Sequence, residues 1–316
     1  MRDALRLAWR LHRWELIFVA VACIGLAAGA GVLAYEMRAM LATCDPGPAD
    51  AMSCTSPYRF QDSHSGRVSL LTTMGTALPF VMGLVLGVPL VAREVEHRTA
   101  HLAWSLSGSR LRWLLLRVAP LAIVALLLAS LPAIAVDQML RARWPQSDLG
   151  LLEYGAHGVP LVTRTALALA LGLGVGALVG RVLPALLVGI FLCVAVSVSL
   201  NLMVPLWLPA EELAPMGEDD VDARLGARSV SSAYRMPDGT MLSHEEGQAI
   251  IEAAYEAAWA DGESEPDPAT LPQDVAYGIP AHRYPDVVVR EAVGMGAATL
   301  VLAGLAAAAV HRRRPG

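Results

Sequence analysis

Charged side chains follow one another closely at residues 93–113, between two long apolar runs. Acids and bases alternate there at a density that favours a docking surface for another protein, because glutamates contribute little to membrane orientation. The alternative is an interfacial loop whose arginines only fix orientation. In a helix, Arg93, Glu94, His97, Arg98 and His101 would share neighbouring turns and form a short charged helix just beneath the membrane.

Metal binding is the second chemistry that this segment could support. His97 and His101 are four residues apart and stand near Glu94, so one helical face could present imidazoles and a carboxylate. No further strong ligand follows at regular spacing, and arginines surround the pair. The acidic cluster at 218–220 lacks the spacing of a calcium loop and is interpreted as a solvated surface. We predict no metal site.

Motifs for nucleotide binding and for common hydrolases do not occur in the 316 residues. A Gly-x-x-x-x-Gly-Lys loop needs a lysine, and all 24 Lys and Arg residues are arginines. Gly-x-Ser-x-Gly, His-Glu-x-x-His and Cys-x-x-Cys are also missing. We predict that the chain is not an enzyme and has no cofactor of its own. Any ATP and magnesium that it depends on would be bound by another polypeptide.

The elements that position these residues are membrane spans. A hydrophobic content of 55% and a charged content of 17% are typical of a multi-span protein, and several apolar stretches approach 20 residues. We predict an all-α polytopic membrane protein of six transmembrane helices, with a small extracytoplasmic α+β insertion before the last span. The predicted spans are 16–34, 69–92, 114–136, two within 159–206 divided at Gly180, and 292–310. The first lacks a distinct small-residue cleavage site, so we expect it to be retained.

Arginine placement divides the chain into parts. Residues 1–15 predict a cytoplasmic amphipathic helix, or a charged tail that only sets topology. Residues 16–206 hold spans 1–5 with the cytoplasmic segment 93–113. Residues 207–290 form an extracytoplasmic acidic subdomain, and 291–316 hold span 6 and a basic tail. The positive-inside rule puts both termini in the cytoplasm of a multi-pass plasma-membrane protein.

The acidic subdomain has local folding signals. Between residues 211 and 286 there are 17 acidic residues and four arginines. A Pro-Asp-Gly turn at 237–239 predicts a hairpin, and Ser243 with Glu246 forms a capping box that begins a helix. We therefore predict one hairpin and one helix. One face of the helix contains Ile251, Tyr255 and Trp259, which recur at helical spacing.

Two cysteines lie in the predicted exported loop at 35–66. Cys44 and Cys54 are predicted to form a disulfide, because thiols oxidise outside the cytoplasm and the loop is short. Metal binding by this pair lacks supporting ligands.

Small residues and prolines predict how the spans pack. Glycines at four-residue spacing allow close helix contacts, and Pro79 and Pro89 are expected to bend span 2. Ionisable residues are almost missing from mid-span, which argues against ion-coupled transport and against a lipid-modifying membrane enzyme. The glycines are Gly25 and Gly29 in span 1, Gly83 and Gly87 in span 2, and Gly172, Gly176 and Gly180 in span 4.

One run of residues carries a family resemblance. Residues 87–104 read Gly-Val-Pro-Leu, then Arg-Glu-Val-Glu and Leu-Ala-Trp, and 109–113 end in Arg-Leu-Arg-Trp. This run resembles the signature of ABC-2 type transporter permeases of the actinobacterial kind, with Arg98 in place of a usual glycine. The six-span layout with both termini cytoplasmic is similar too.

The resemblance implies a permease subunit of an ATP-driven exporter that moves a hydrophobic or amphipathic compound out of the cell. It implies a separate ABC ATPase that carries ATP and magnesium, and a homodimer or a second permease. It also implies that Arg93, Glu94, Glu96 and Thr99 form the charged cluster under span 2, that 103–110 lie near the contact with the ATPase, and that spans 2 and 5 line the substrate path. The ATPase-coupling residues that it implies are Arg93, Glu94, Glu96, His97, Arg98, Thr99, Trp104 and Arg110. Membrane lipid, but no nucleic acid, is an expected partner. The alternative is a signalling or scaffold protein with an extracytoplasmic sensing subdomain.

Overall fold

The computed structural model describes residues 2–43, 57–97, 109–144, 149–213, 226–260 and 265–312. Within them, six helical stretches are long and apolar enough to cross a membrane. The prediction of a six-span helical fold with a small α+β insertion before the last span is therefore confirmed. The spans are span 1 (α1, Arg2–Thr43), span 2 (α2, Pro57–Met82, a π-helical turn, Gly83–Gly87, and α3, Val88–Glu96), span 3 (α4, Arg110–Arg143), span 4 (α5, Gly158–Val179), span 5 (α6, Val182–Met203) and span 6 (α8, Tyr284–Arg312).

Several helices extend beyond the apolar runs that predicted them. Span 1 continues to Thr43, so the predicted loop at 35–66 is helical at both of its described ends. Hydropathy marks only the bilayer core, whereas the helices continue into polar sequence where side chains can pair. Arg67 lies 3.2 Å from Glu36 in such an extension. Cys44 and Cys54 lie outside the described residues, so their disulfide stays a prediction.

Span 1 contains a break near its start. His12 has φ −122° and ψ 23°, which are not helical values. Helix α1 therefore consists of two helical segments that meet at a kink at His12. The break falls inside the predicted N-terminal helix at 1–15. The position of that helix at a membrane surface stays a prediction.

The chain divides into two compact units, and the first contains residues 1–145, 153–201 and 288–316. Spans 2 and 4 form its centre, because 67% of the residues in their most apolar windows are buried, against 17–33% in the other spans. The remaining spans expose apolar faces such as Phe191 and Leu300. In a membrane these faces are solvated by lipid tails.

Spans 2 and 4 approach each other through glycines. A Cβ added at Gly83, Gly87, Gly172 or Gly176 would collide with backbone atoms of the facing span. This confirms close packing at both four-residue motifs. The same prediction for span 1 was wrong. Gly25 has nothing within 4 Å of an added Cβ, and Gly29 would meet only the end of a leucine side chain.

Span 2 changes its winding at this contact. Residues Gly83–Gly87 form the π-helical turn, with Pro79 one turn before it and Pro89 two residues after it. A proline has no backbone N–H and disrupts the regular ladder, so neighbouring turns can adopt π geometry. The change of winding lies where span 2 contacts span 4, and the bend expected from the two prolines stays a prediction.

The second unit contains residues 146–152 and 202–287. Its four strands are β1 (Glu211–Glu212), β2 (Arg228–Arg235), β3 (Met241–Leu242) and β4 (Gln273–Ile279). They pair antiparallel in the order β1-β4-β2-β3. The predicted hairpin is β2–β3, where Met236 N–H donates to the Thr240 carbonyl at 2.9 Å and Gly239 has φ 89°.

Strands β1 and β4 were not predicted. Strand β4 buries Val275 and Ala276 in succession, so it lacks the alternation that marks a strand. It also contains Gly278, where a Cβ would collide with the Arg228 carbonyl of β2. Glycine weakens a strand pattern but allows this close approach.

Helix α7 (His244–Ala260) follows β3. Its predicted capping box is confirmed, since Glu246 accepts from the Ser243 N–H at 2.9 Å and from its hydroxyl at 2.8 Å. Tyr255 and Trp259, on the apolar face that the spacing marks, are 36% and 67% exposed. The helix packs instead through Gly247, where a Cβ would collide with the Tyr234 ring. The packed face of α7 has small side chains because they allow the helix to approach the sheet closely.

Candidate coupling elbow

The charged end of span 2 emerges directly from the centre of the first unit. In α3, Val88–Ala92 are buried, and the side chains become exposed at Arg93. The helix ends at Glu96, where the His97 N–H donates to the Arg93 carbonyl at 3.0 Å. Arg93 also lies in the last turn, where a cation is favoured by the helix dipole.

Arg93 contacts span 1. Its Nη2 lies 3.0 Å from Glu15 Oε1. Glu15 follows the break at His12, so this bond holds the start of the membrane-crossing part of span 1 against the end of span 2. The arginine side chain is 46% exposed, so solvent screens much of this attraction.

Glu94 contacts span 3. It forms a salt bridge with Arg117, and both side chains are more than four-fifths buried. The Arg117 guanidinium carbon also lies 5.1 Å from the centre of the Trp113 ring, one turn earlier on the same helix. Arg117 is thus held between a carboxylate and an aromatic ring.

Glu96 contacts the start of span 5. Its Oε2 accepts a hydrogen bond from the Val182 backbone N–H at 2.9 Å. The first N–H groups of a helix lack partners within the helix, and a carboxylate there is favoured by the dipole. Gly180, with φ 68°, ends span 4 just before, which confirms the predicted division of 159–206.

Three side chains spaced over one turn thus connect the end of span 2 to three other spans. We call Arg93, Glu94 and Glu96 the elbow. His97 is exposed beside it. Arg110 is the first residue of α4, after Ser109, whose hydroxyl accepts from the Arg112 N–H at 3.2 Å.

The predicted residues Arg98, Thr99 and Trp104 lie outside the described residues, so their docking role stays a prediction. The contacts of the elbow with Glu15 and Val182 were missed by sequence reasoning. The signal available for Glu15 was a carboxylate at the head of an apolar span otherwise preceded by arginines. Nothing in the sequence pointed to a backbone N–H as the partner of Glu96.

A second ionic contact lies within the first unit. Arg164 of span 4 and Glu291 of span 6 are 0% and 1% exposed, and Nε lies 3.2 Å from Oε1. The prediction that ionisable residues are almost missing concerned the middle of the spans, whereas Arg164 and Glu291 lie near the starts of α5 and α8. Glu291 precedes the predicted start of span 6 by one residue, although α8 begins earlier, at Tyr284. Arg164 was overlooked inside a long apolar run.

The guanidinium of Arg164 is tightly enclosed. It lies 5.5 Å from the centre of the Tyr154 ring, and a Cβ added at Gly155 would collide with it. Gly155 has φ 94°, a left-handed conformation that favours glycine. Neither Nη1 nor Nη2 makes a hydrogen bond to a described residue. The pair is therefore built into the packing.

Metal ligands do not gather in the part of the chain that the structure describes. No group of three or more His, Cys, Asp or Glu side chains there could hold an ion. Glu94 lies against Arg117, and Glu96 against a backbone N–H. The chemistry of the elbow is therefore ion pairing and hydrogen bonding between helices.

The family model described as ABC-2 membrane transporter related matches residues 16–205. The chain belongs to this family. The match includes spans 1 to 5 and the elbow, and ends before the first strand of the second unit. No curated protein and no solved structure gives a significant match.

Membership of the ABC-2 membrane transporter related family, with six apolar helices, makes the chain a multi-pass membrane protein of the transporter permease type. Permeases of this family generally pair with an ABC ATPase. The family resemblance predicted from residues 87–113 is confirmed, and those residues lie inside the matched range.

Proposed function

We propose that this chain is the permease subunit of an ATP-driven ABC-2 exporter that moves a hydrophobic or amphipathic compound out of the cell. A separate ABC ATPase binds the ATP and magnesium. Two permeases, either copies of this chain or this chain and a second one, complete the transporter. It resides in the plasma membrane with both termini and the elbow in the cytoplasm, in keeping with the arginines at 2–13 and 312–314.

The observation that carries the proposal is the connection of the elbow to three spans. A partner that binds the chain just after His97 acts on the end of span 2, and the bonds of Arg93, Glu94 and Glu96 pass this displacement to spans 1, 3 and 5. Two states of an ATPase can move the bundle only if they bind this part of the chain differently. The elbow converts that difference into a tilt of helices.

Co-purification with the ATPase and ATP hydrolysis in reconstituted vesicles test the proposal. We expect a tagged chain to retain an ABC ATPase expressed with it, and we expect amphiphilic substrates to stimulate hydrolysis. E94Q should lower the stimulation while the ATPase is still retained. R67Q removes the exposed pair of Arg67 with Glu36, far along span 2 from the elbow, and is the matched control. Failure to retain any ATPase would contradict the proposal.

The second candidate is a signalling or scaffold protein. The folded unit of four strands and a helix supports it, because this unit exposes Tyr255 and Trp259 on one helix. A scaffold gives no substrate-stimulated hydrolysis in the same vesicles, whereas an exporter does. The one measurement therefore separates the two.

A further inference from the structure

An apolar cavity of about 210 Å³ lies inside the first unit, between spans 2, 3, 4 and 6. Every lining residue except Thr299 is apolar. Many are small, including Gly87, Ala122, Ala170 and Ala303, and the π-helical turn of span 2 contributes Leu86 and Gly87. An apolar cavity of about 150 Å³ in another protein stays dry and takes up benzene, so this one has room for a larger apolar group.

Thr299 differs from several other hydroxyl residues of the spans. Thr76 and Thr165 donate to the carbonyl four residues earlier, each at 2.9 Å, as does Ser199 at 2.8 Å. The buried Thr299 Oγ1 makes no hydrogen bond to a described residue. A buried hydroxyl without a partner is costly, so this position favours a ligand that supplies one.

Partial exposure of the lining shows where the cavity opens. The lining residues of span 2 are buried, whereas Val118, Ala122 and Leu126 of span 3 and Ala303 of span 6 are half-buried. The three residues of span 3 form one row along the helix, beside the exposed Ile123 and Leu127. The mouth therefore faces the apolar surface of spans 3 and 6, which lipid tails solvate.

We propose that this cavity binds the alkyl chain of an amphiphile, entering from the bilayer, with Thr299 contacting a hydroxyl or carbonyl group on it. An alkyl chain fits the apolar lining and the lateral mouth, and one polar group on it satisfies the hydroxyl of Thr299. The proposal that the cavity binds an alkyl chain does not depend on the proposed exporter function. The proposal that this amphiphile is the transported substrate rests on that function.

The walls of the cavity are connected to the elbow. Leu90 lies one turn before Glu94 on span 2, and Val118 follows Arg117 on span 3. The Glu94–Arg117 salt bridge therefore joins two walls of the cavity at its end. Displacement of the elbow changes the width of the cavity. Conversely, an alkyl chain bound in the cavity changes the position of the elbow.

Photolabelling of the full chain in lipid nanodiscs tests the binding site without an ATPase. One probe is an octyl alcohol with a diazirine, and the other is a phospholipid with a diazirine on its acyl chain. Peptides from spans 3 and 6 are identified by mass spectrometry. We expect saturable labelling of the lining by at least one probe, competed by unlabelled octanol. The probe that labels tells whether the chain comes from a free amphiphile or from a lipid.

Matched variants distinguish the cavity from the lipid-facing surface. A303F and A122F fill the cavity and should reduce labelling to background, whereas A297F and A119F, on exposed faces of the same spans, should leave it unchanged. Non-saturable labelling in wild type, which needs no variant to fold, overturns the proposal. So does labelling that A303F and A122F do not reduce.

The role of Thr299 is measured by competition. In wild type, octanol should displace the probe roughly two- to tenfold better than octane of matched membrane concentration, as one hydrogen bond implies. T299V should remove this preference, and T299S should keep it. The cavity of about 330 Å³ between spans 1 and 2 has only apolar lining residues and is the internal control. Labelling of that cavity should show no preference for octanol over octane as competitor. An unchanged preference in T299V overturns the assignment of the hydroxyl.

Discussion

Arg164 Nε lies 3.2 Å from Glu291 Oε1 in the interior of the first unit, and this pair joins spans 4 and 6 across 127 residues of sequence. The ring of Tyr154 and the backbone of Gly155 enclose the guanidinium. Span 6 is largely exposed along its most apolar window. A buried ionic contact therefore fixes a span that has little packing elsewhere, and each charge depends on the other.

Removal of one charge should be far more damaging than removal of both. E291Q leaves the arginine buried without a counter-charge, and we expect a loss of about 3 to 5 kcal/mol in the free energy of unfolding. The double variant R164M/E291L should recover much of this loss, because two apolar side chains replace the pair. Thermal unfolding in detergent gives the comparison. E252Q, the same change at an exposed position, is the control, and equal losses in E291Q and E252Q would contradict the expectation.

The glycine contact between spans 2 and 4 predicts a positional difference among glycines. G172A places a methyl group against the backbone of span 2 and should cost about 1 to 3 kcal/mol in stability. G25A meets open space and should stabilise its helix by about 0.5 to 1 kcal/mol. Melting temperatures of the two variants test this, and a G172A protein as stable as wild type would show that the spans can separate freely.

The sequence was sufficient for the number of spans, their helical state and the close-packing glycine faces of spans 2 and 4, but not for the contact between those two faces. Hydropathy and residue spacing are local properties, and each of these features depends on them. The same spacing failed at Gly25 and Gly29, because a glycine pair permits close packing but does not choose a partner helix. The packing face of α7 could not be predicted for a related reason, since it is set by the contact of Gly247 with Tyr234 of another element.

Partners distant in sequence were the main omission. The Arg93, Glu94 and Glu96 cluster was identified as a candidate site from its charge pattern. Its partners Glu15, Arg117 and Val182 lie on three other spans, and no local pattern relates them. Arg164 and Glu291 were missed together, because each is a single charge in an apolar context and only the fold shows that they meet.

The two salt bridges around the elbow should differ in strength. Glu94 and Arg117 are 16% and 19% exposed, whereas Arg93 is 46% exposed. A double-mutant cycle with E94Q and R117Q should give a coupling energy near the upper end of the range of about 0.5 to 3 kcal/mol that residues in contact show. The cycle with E15Q and R93Q should give about 0.2 to 1 kcal/mol. The reverse order would mean that Arg93, and not Glu94, carries the main link from span 2.

The cap of α7 predicts a pH dependence. The Ser243 N–H, and then its hydroxyl, lower the pKa of Glu246 below its ordinary value of 4.5. The ionised cap therefore contributes stability that is complete above pH 4.5 and is lost as the pH falls through the lowered pKa. Hydrogen exchange of residues 244–260, corrected for the intrinsic rate, should rise in this acidic range. E246Q cannot titrate and should flatten the rise, and a profile that is the same in both proteins would remove the cap as its cause.

The orientation of the chain in the membrane can be measured by labelling introduced cysteines with a reagent that cannot cross the membrane. His97 beside the elbow and Trp259 of the second unit are both exposed. Spans 3, 4 and 5 separate them along the chain, and an odd number of crossings puts the two residues on opposite sides of the membrane. The positive-inside rule puts the elbow in the cytoplasm. W259C should react with a membrane-impermeant maleimide in intact cells, and H97C should react only after permeabilisation. Because the buried native Cys23 and Cys193 stay within spans, a C44S/C54S background removes the remaining thiols. Labelling of H97C in intact cells would put the elbow outside, where no cytoplasmic ATPase could reach it.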